Sequence, residues 1–203
     1  MVYKPEYTPR GQTLYAGGNY SFDLNEAMVE ILRKEFGAQK VAEDFAKAVA
    51  GKKGADLEKA GAKFFEKYGK DWMKRAIQLG DEYPDRTYEV VKQSVDGKGN
   101  VFMFWPLVPQ RSLEIAYLGT QDFLTLPMVE SHYQRLIYKV VDCATFKNIK
   151  TKNGDAVANL MTCKNGCLTA CQTMLQGLKL SATVNMDAAM VKDGYCQFRL
   201  TRG

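Results

Sequence analysis

The hydrophobic pattern of this chain changes period near its middle, and that change limits the folds open to it. Between residues 23 and 95 apolar side chains return every three to four positions, as in Leu24, Ala27, Met28, Ile31 and Leu32. Beyond residue 101 they gather in short runs rich in aromatic and β-branched residues. Helices followed by strands segregate in space, so the order predicts an α+β fold. Its expected form is an N-terminal helical layer over residues 23–95 packed on a mostly antiparallel sheet from residues 101–203, ending in a strand-helix-hairpin unit.

Individual elements follow from local chemistry. Asp23, with Glu26 three positions on, predicts a helix start, and Gly37 a helix end. A second helix carries Val41, Phe45, Ala48 and Val49 and stops at Gly51 to Gly54. A third, from Ala55 towards Leu79, presents Phe64, Tyr68 and Trp72, read as core packing with pocket lining as the lesser alternative. Gly61 and Gly69 are expected to weaken or bend it. After Pro84 a short helix runs from Asp85 through Tyr88 and Val91 to the Asp96-Gly97-Lys98-Gly99-Asn100 turn.

Val101 to Trp105 and Leu113 to Leu118 read as buried strands, and Pro127 as the start of a helix through Val129, His132, Tyr133 and Leu136. Leu136 to Cys143 reads as a strand, Lys147 to Gly154 as a loop, and Asp155 as the start of a short helix. Leu180 to Met186 and Tyr195 to Leu200 read as strands joined by a hairpin at Asp193-Gly194.

With 203 residues, 46% of them hydrophobic and 25% charged, the chain can bury one sizeable core, so residues 23–203 are expected to form one domain. The preceding residues 1–22 hold Tyr3, Tyr7, Tyr15, Tyr20 and Phe22 among prolines and glycines. Such an arm needs a surface to cover, on its own domain or on a second copy, which makes a homo-oligomer an expectation. The net charge of +5 is spread over lysines interleaved with acids, without a basic run, which speaks against a nucleic-acid partner. No window approaches the roughly 18 apolar residues of a membrane span, and the start lacks a leader pattern, so a cytoplasmic protein with no membrane partner is expected.

The chemistry concentrates in the cysteines. Four of the five, Cys163, Cys167, Cys171 and Cys196, lie in the last fifth of the chain, and Cys143 ends the best strand. The odd count argues against a disulfide framework, and the single histidine, His132, restricts any zinc site to mostly thiolate ligands. On one unbroken helix Cys163, Cys167 and Cys171 would line up over roughly 12 Å, too far for one ion. Asn165-Gly166 is a poor helix interior, and a break there would free Cys163 and place Cys167 near a helix N-terminus where its thiolate is stabilised.

Three readings of the thiols stand side by side. They are small hydrophobes of the core; or they hold zinc or an iron-sulfur cluster through Cys143, Cys163 and Cys167 with Cys171 or Cys196; or one of them is a nucleophile. Phe104, Trp105, His132 and Tyr133 are the candidate substrate-binding residues. The corresponding functions are a small-molecule-binding protein with a cysteine-ligated metal or iron-sulfur site, a thiol hydrolase using Cys163 or Cys167 with His132 as base, and a noncatalytic assembly subunit. No phosphate-binding glycine loop, dinucleotide fingerprint or Ser-His-Asp signature is present.

The stretches Val140-Val141-Asp142-Cys143, Met161-Thr162-Cys163 and Gly194-Tyr195-Cys196-Gln197-Phe198-Arg199-Leu200 occur in an order that resembles the superfamily of 4-vinyl reductase domains and L-2-amino-thiazoline-4-carboxylic acid hydrolase-like proteins, over residues 136–200. The resemblance to the first group implies an α/β small-molecule-binding module with metal-binding cysteines. Resemblance to the second implies ring opening of a small sulfur-nitrogen heterocycle. The chain departs from both: Met190 stands where the first group has a cysteine three places after an acid, here Asp187, and Gly166 stands where the second would have an acid three places after the helix cysteine.

Overall fold

The computed structural model describes residues 24–85, 89, 105–121, 126–161 and 163–203. The aromatic arm, the helix expected from Asp85 except for Asp85 and Glu89, and the run from Val101 to Phe104 lie outside the described residues. Three helices open the fold: α1 (Glu26–Phe36), α2 (Ala38–Ala48) and α3 (Gly54–Glu82). The α1 cap is Asn25, whose side chain accepts hydrogen bonds from the amides of Ala27 at 2.9 Å and Met28 at 3.4 Å.

A fourth helix, α4 (Leu107–Thr120), stands where the sequence predicted a strand from Leu113 to Leu118. Leu107, Leu113, Ile115, Ala116, Tyr117 and Leu118 are all buried, as are Gln110, Arg111, Ser112 and Glu114. A helix enclosed on every side has no polar face to reveal its period, so a short apolar run within it looks like a buried strand. Its polar members are satisfied locally. Arg111 pairs with buried Asp85 at 2.5 Å and donates to the carbonyls of Gly80 and Tyr83, which ties α4 to the end of α3.

The sheet follows in the order β1-β2-β4-β3, antiparallel throughout. Its strands are β1 (Met128–His132), β2 (Arg135–Val140), β3 (Ala182–Ala188) and β4 (Cys196–Arg202). The helix expected behind Pro127 is thus corrected to a hairpin, with His132 opposite Arg135 and only Tyr133 and Gln134 between them. That turn lacks the Asn-Gly type of signal by which short hairpins are recognised. Leu136, Tyr138 and Val140 of β2 face the core beside Leu200, Phe198 and Cys196 of β4, in direct register. Alternation with a period of two puts these six on one side of the sheet.

Between β2 and β3 lie α5 (Ala144–Asn153), α6 (Asp155–Leu160) and α7 (Cys163–Gly177). The loop expected from residue 147 is instead mostly α5, while α6 begins at Asp155 as predicted. No break occurs at Asn165-Gly166: α7 is continuous through both. Gly166 sits there because α7 crosses α3 at Gly69 with backbone against backbone. A Cβ built on Gly69 would stand 2.0 Å from the Gly166 carbonyl oxygen. Gly69, expected to weaken α3, is likewise a contact point within an unbroken helix. The connection from β3 to β4 contains the one-turn α8 (Met190–Asp193), closed by Gly194 in the left-handed conformation at φ 75°.

Two apolar clusters result. The larger joins α1, α3, α4 and α7 to the inner face of the sheet, and the smaller gathers Val41, Phe45, Leu57, Phe65, Ile149 and Met161 from α2, α3, α5 and the segment before α7. Among the described residues no helix is long and apolar enough to cross a membrane.

Candidate thiol-lined site

A narrow cavity lies where the two clusters meet, under the Gly69–Gly166 crossing. Its volume is ≈ 40 Å³, and its walls include Cys143, Cys163, Cys167 and Cys196. Each thiol reaches it from a different local setting. Cys143 is the N-cap of α5, its sulfur accepting the Phe146 amide at 3.4 Å. Cys163 opens α7, and Cys167 lies one turn further along the same helix. Cys196 begins β4 opposite Val140, which also lines the cavity.

Aromatic rings close the opposite side. Tyr68 stacks on Trp72 with centroids 5.4 Å apart, and Trp72 meets Tyr117 edge-on at 5.0 Å. All three line the cavity, so the α3 stripe serves as packing and as wall. Gln121 and Thr145 supply a polar corner: the Gln121 amide donates to the Thr145 hydroxyl at 3.1 Å, and its carbonyl oxygen accepts the Thr145 amide at 3.4 Å. The Nε1–H of Trp72 is buried and has no hydrogen-bond acceptor among the described residues. A buried donor left without a partner is costly.

Cys171 does not line the cavity. It lies a further turn down α7, fully buried, where Tyr138 and Cys171 share a 3.2 Å hydrogen bond and Tyr138 meets Tyr117 at 3.4 Å. The neighbouring Tyr117 hydroxyl favours the Cys167 thiolate, though burial outweighs it, and so relates the cavity to this buried network. The three tyrosines, Tyr68, Tyr117 and Tyr138, are pushed well above the ordinary phenol range, by burial first and then by neighbouring thiols.

Every cysteine is shifted in the same direction. Burial raises the thiols of Cys143, Cys163 and Cys167, and pushes Cys171 and Cys196 up to about 12. The amides at the start of α7 do favour a Cys163 thiolate, as a helix N-terminus should, but loss of solvent outweighs them. These are protonated, poorly nucleophilic thiols in the ligand-free chain.

The other candidate residues are elsewhere. His132 lies at the Arg135 end of β2, whereas Cys143 follows the Val140 end; five steps of about 3.3 Å separate Arg135 from Val140 by roughly 17 Å. His132 is held by Glu130 through Nε2 and accepts the Gln134 amide at Nδ1. Burial raises the Glu130 carboxyl, but hydrogen bonds from Arg135 and His132 outweigh it and the net shift is downward. Tyr133 is largely exposed beside His132, and Trp105 is packed in the larger core. Trp105, His132 and Tyr133 do not line the thiol cavity, and Phe104 lies outside the described residues. Nor does the fold pair His132 with Cys163 or Cys167 as base and nucleophile.

Sequence reasoning missed Tyr117, Gln121, Thr145, Met186 and Met190 as cavity residues. Only the cysteine-rich stretch gave a signal, since the others come together through an unexpected helix and through the sheet. As to a resident metal, the four thiols surround one space, yet among the described residues no three Cys, His, Asp or Glu side chains stand close enough to hold one ion. The wall as folded does not fit zinc or an iron-sulfur cluster, each of which needs three or four donors on a common centre.

No family model matches the chain, and no curated protein matches it. Among solved structures, a point mutant of the T. tengcongensis H-NOX is 13% identical with a TM-score of 0.29, covering 87% of this chain and 93% of that one. A second, described as giving structural insights into H-NOX activation, is 12% identical with a TM-score of 0.27, covering 90% and 96%. Likeness at this level carries no argument about function.

Proposed function

We propose that the chain is a small-molecule-binding protein whose ligand occupies the thiol-lined cavity. The observation that supports this is the convergence of four cysteines from separate elements on one space whose remaining walls are aromatic. Cysteines serving only as filler have no reason to share a cavity. A volume of ≈ 40 Å³ has room for a few heavy atoms, since one water needs about 10–15 Å³ on this measure. The resemblance of residues 136–200 to 4-vinyl reductase domains agrees with small-molecule binding.

The finer reading, a cysteine-ligated metal or iron-sulfur site, draws support from the same convergence and requires the thiols to close in and lose their protons. Chain purified without oxygen and examined for metal content, visible absorption and xenon binding by NMR separates these readings. Broad visible absorption with acid-labile sulfide supports the cluster, and bound zinc without colour supports the zinc site. Metal-free protein whose cavity takes xenon, with loss of the signal in Val140→Phe, supports the small ligand alone. Metal-free protein that takes no xenon and whose cysteines all resist alkylation overturns the proposal, leaving the thiols as packing residues.

A further inference from the structure

The wall of the thiol-lined cavity restricts the kind of ligand it can hold. Among its described lining residues there is no Asp or Glu, and its one charged side chain, Lys164, is exposed. Tyr68, Tyr117 and the four thiols of the wall are all held neutral by burial. The other polar groups are engaged with the protein. Gln121 and Thr145 bond to each other, the Tyr68 hydroxyl donates to the Phe36 carbonyl at 3.5 Å, and the Tyr117 hydroxyl meets that of Tyr138. At the start of α7 the amides of Cys163 and Lys164 act on the Cys163 sulfur. The Trp72 Nε1–H remains, and a single neutral donor supplies no counter-charge.

A charge moved from water into such a space loses its hydration and gains no partner, so its transfer is strongly unfavourable. An uncharged hydrogen-bonding group loses less, but it too leaves its partners behind in water. What the wall does offer is close contact with sulfur and aromatic carbon, polarisable groups that attract a ligand by dispersion whatever its polarity. Size narrows the choice further: at about 10–15 Å³ per water, a volume of ≈ 40 Å³ admits on the order of three heavy atoms.

Resting on the small-ligand reading, we infer that the ligand of this cavity is an uncharged, apolar molecule of on the order of three heavy atoms. Carboxylates, phosphates, ammonium groups and sugars fall outside that class. So does the carboxylated thiazoline ring implied by the resemblance to the hydrolase-like proteins. Binding is reversible contact, with no bond made to a thiol and no proton released.

The test is a methyl NMR titration of the intact, reduced chain with propane, dimethyl ether, dimethylammonium and formate, which have equal heavy-atom counts and differ in polarity and charge. The reporter is Val140, which is buried and lines the cavity. Propane is expected to shift its methyl signals to saturation, and to leave the cavity wall unchanged in Val140→Phe, which fills the space. Val140→Ile, which adds a methylene, serves in the same way should the larger ring prevent folding, with propane binding weakened. Dimethyl ether is expected to bind about tenfold more weakly than propane, and formate and dimethylammonium not at all at roughly a hundredfold higher concentration. Binding of either ion within about tenfold of propane would overturn the inference. Dimethyl ether as tight as propane would show a free donor facing the space and overturn the apolar class. Xenon entering where propane does not would overturn the size. In each of these cases the cavity reading survives; exclusion of both xenon and propane from the wild-type chain would defeat that reading as well.

Discussion

The crossing of α3 and α7 is the contact on which the cavity depends, and Gly69→Ala probes it directly. A Cβ at position 69 would lie 2.0 Å from the Gly166 oxygen, 2.7 Å from its carbonyl carbon and 2.9 Å from its Cα. Ordinary contact begins near 3.4 Å, so the helices must part locally by about 1.4 Å. Because the obstacle is backbone, no rotamer change can relieve it. Overpacking of this sort costs about 1–3 kcal/mol, here at the upper end, while alanine regains about 1 kcal/mol of helix propensity.

The expected net loss is about 2 kcal/mol, or a fall in Tm of roughly 4–8 °C for a chain of this size. Urea unfolding followed by circular dichroism should show a lower midpoint at unchanged slope. Gly177→Ala is the matched control, since its Cβ would meet only the Cδ1 of Ile77, at 3.0 Å, and that side chain can turn away. If Gly69→Ala is as stable as wild type, the backbone contact is not present in solution and the cavity beneath it is not built as described. A loss of equal size in Gly177→Ala would show that the assay reads helix ends rather than the crossing.

Two further outcomes follow from buried ionisable groups. The thiols of Cys171 and Cys196 rise in the folded state from 9.0 to about 12, so the native chain holds protons that the unfolded chain releases. Their contribution to stability is present below pH 9 and is lost as pH climbs from about 9 to 12, at up to about 1.4 kcal/mol per pH unit for each thiol; denaturant midpoints that stay flat across this window would contradict it. Arg111→Ala removes the cation beside buried Asp85 and the donor to two backbone carbonyls, and should cost about 3–5 kcal/mol in a urea melt, whereas a loss under 1 kcal/mol would show that the pair is solvated.

What could be read from the sequence was what carries its own period. The three N-terminal helices, β2, and the two C-terminal strands each show a clear alternation over their length, and each was found within a few residues. The errors share a cause: information that sits in a partner rather than in the segment. Helix α4 is enclosed on all sides, so burial removed the polar face that separates a helix from a strand. The β1–β2 hairpin turns through Tyr133 and Gln134 because β2 is held by β4, not because the turn prefers it. Gly166 looks like a helix breaker until Gly69 is placed against it.

The same distinction accounts for the cysteines. Their clustering was visible, but the strand read as ending at Cys143 stops at Val140, and Cys143 instead caps the following helix while Cys163 opens α7. Their manner of meeting was not visible, because α7 stays continuous and Cys163, Cys167 and Cys171 remain stacked along one helix. Continuity separates their environments. Cys163 and Cys167 are both partly buried and line the cavity, and Cys171 bonds to Tyr138 in the core. A broken helix could have folded the first two thiols onto one ion; an unbroken one keeps them a turn apart on the cavity wall and carries Cys171 a further turn into the core.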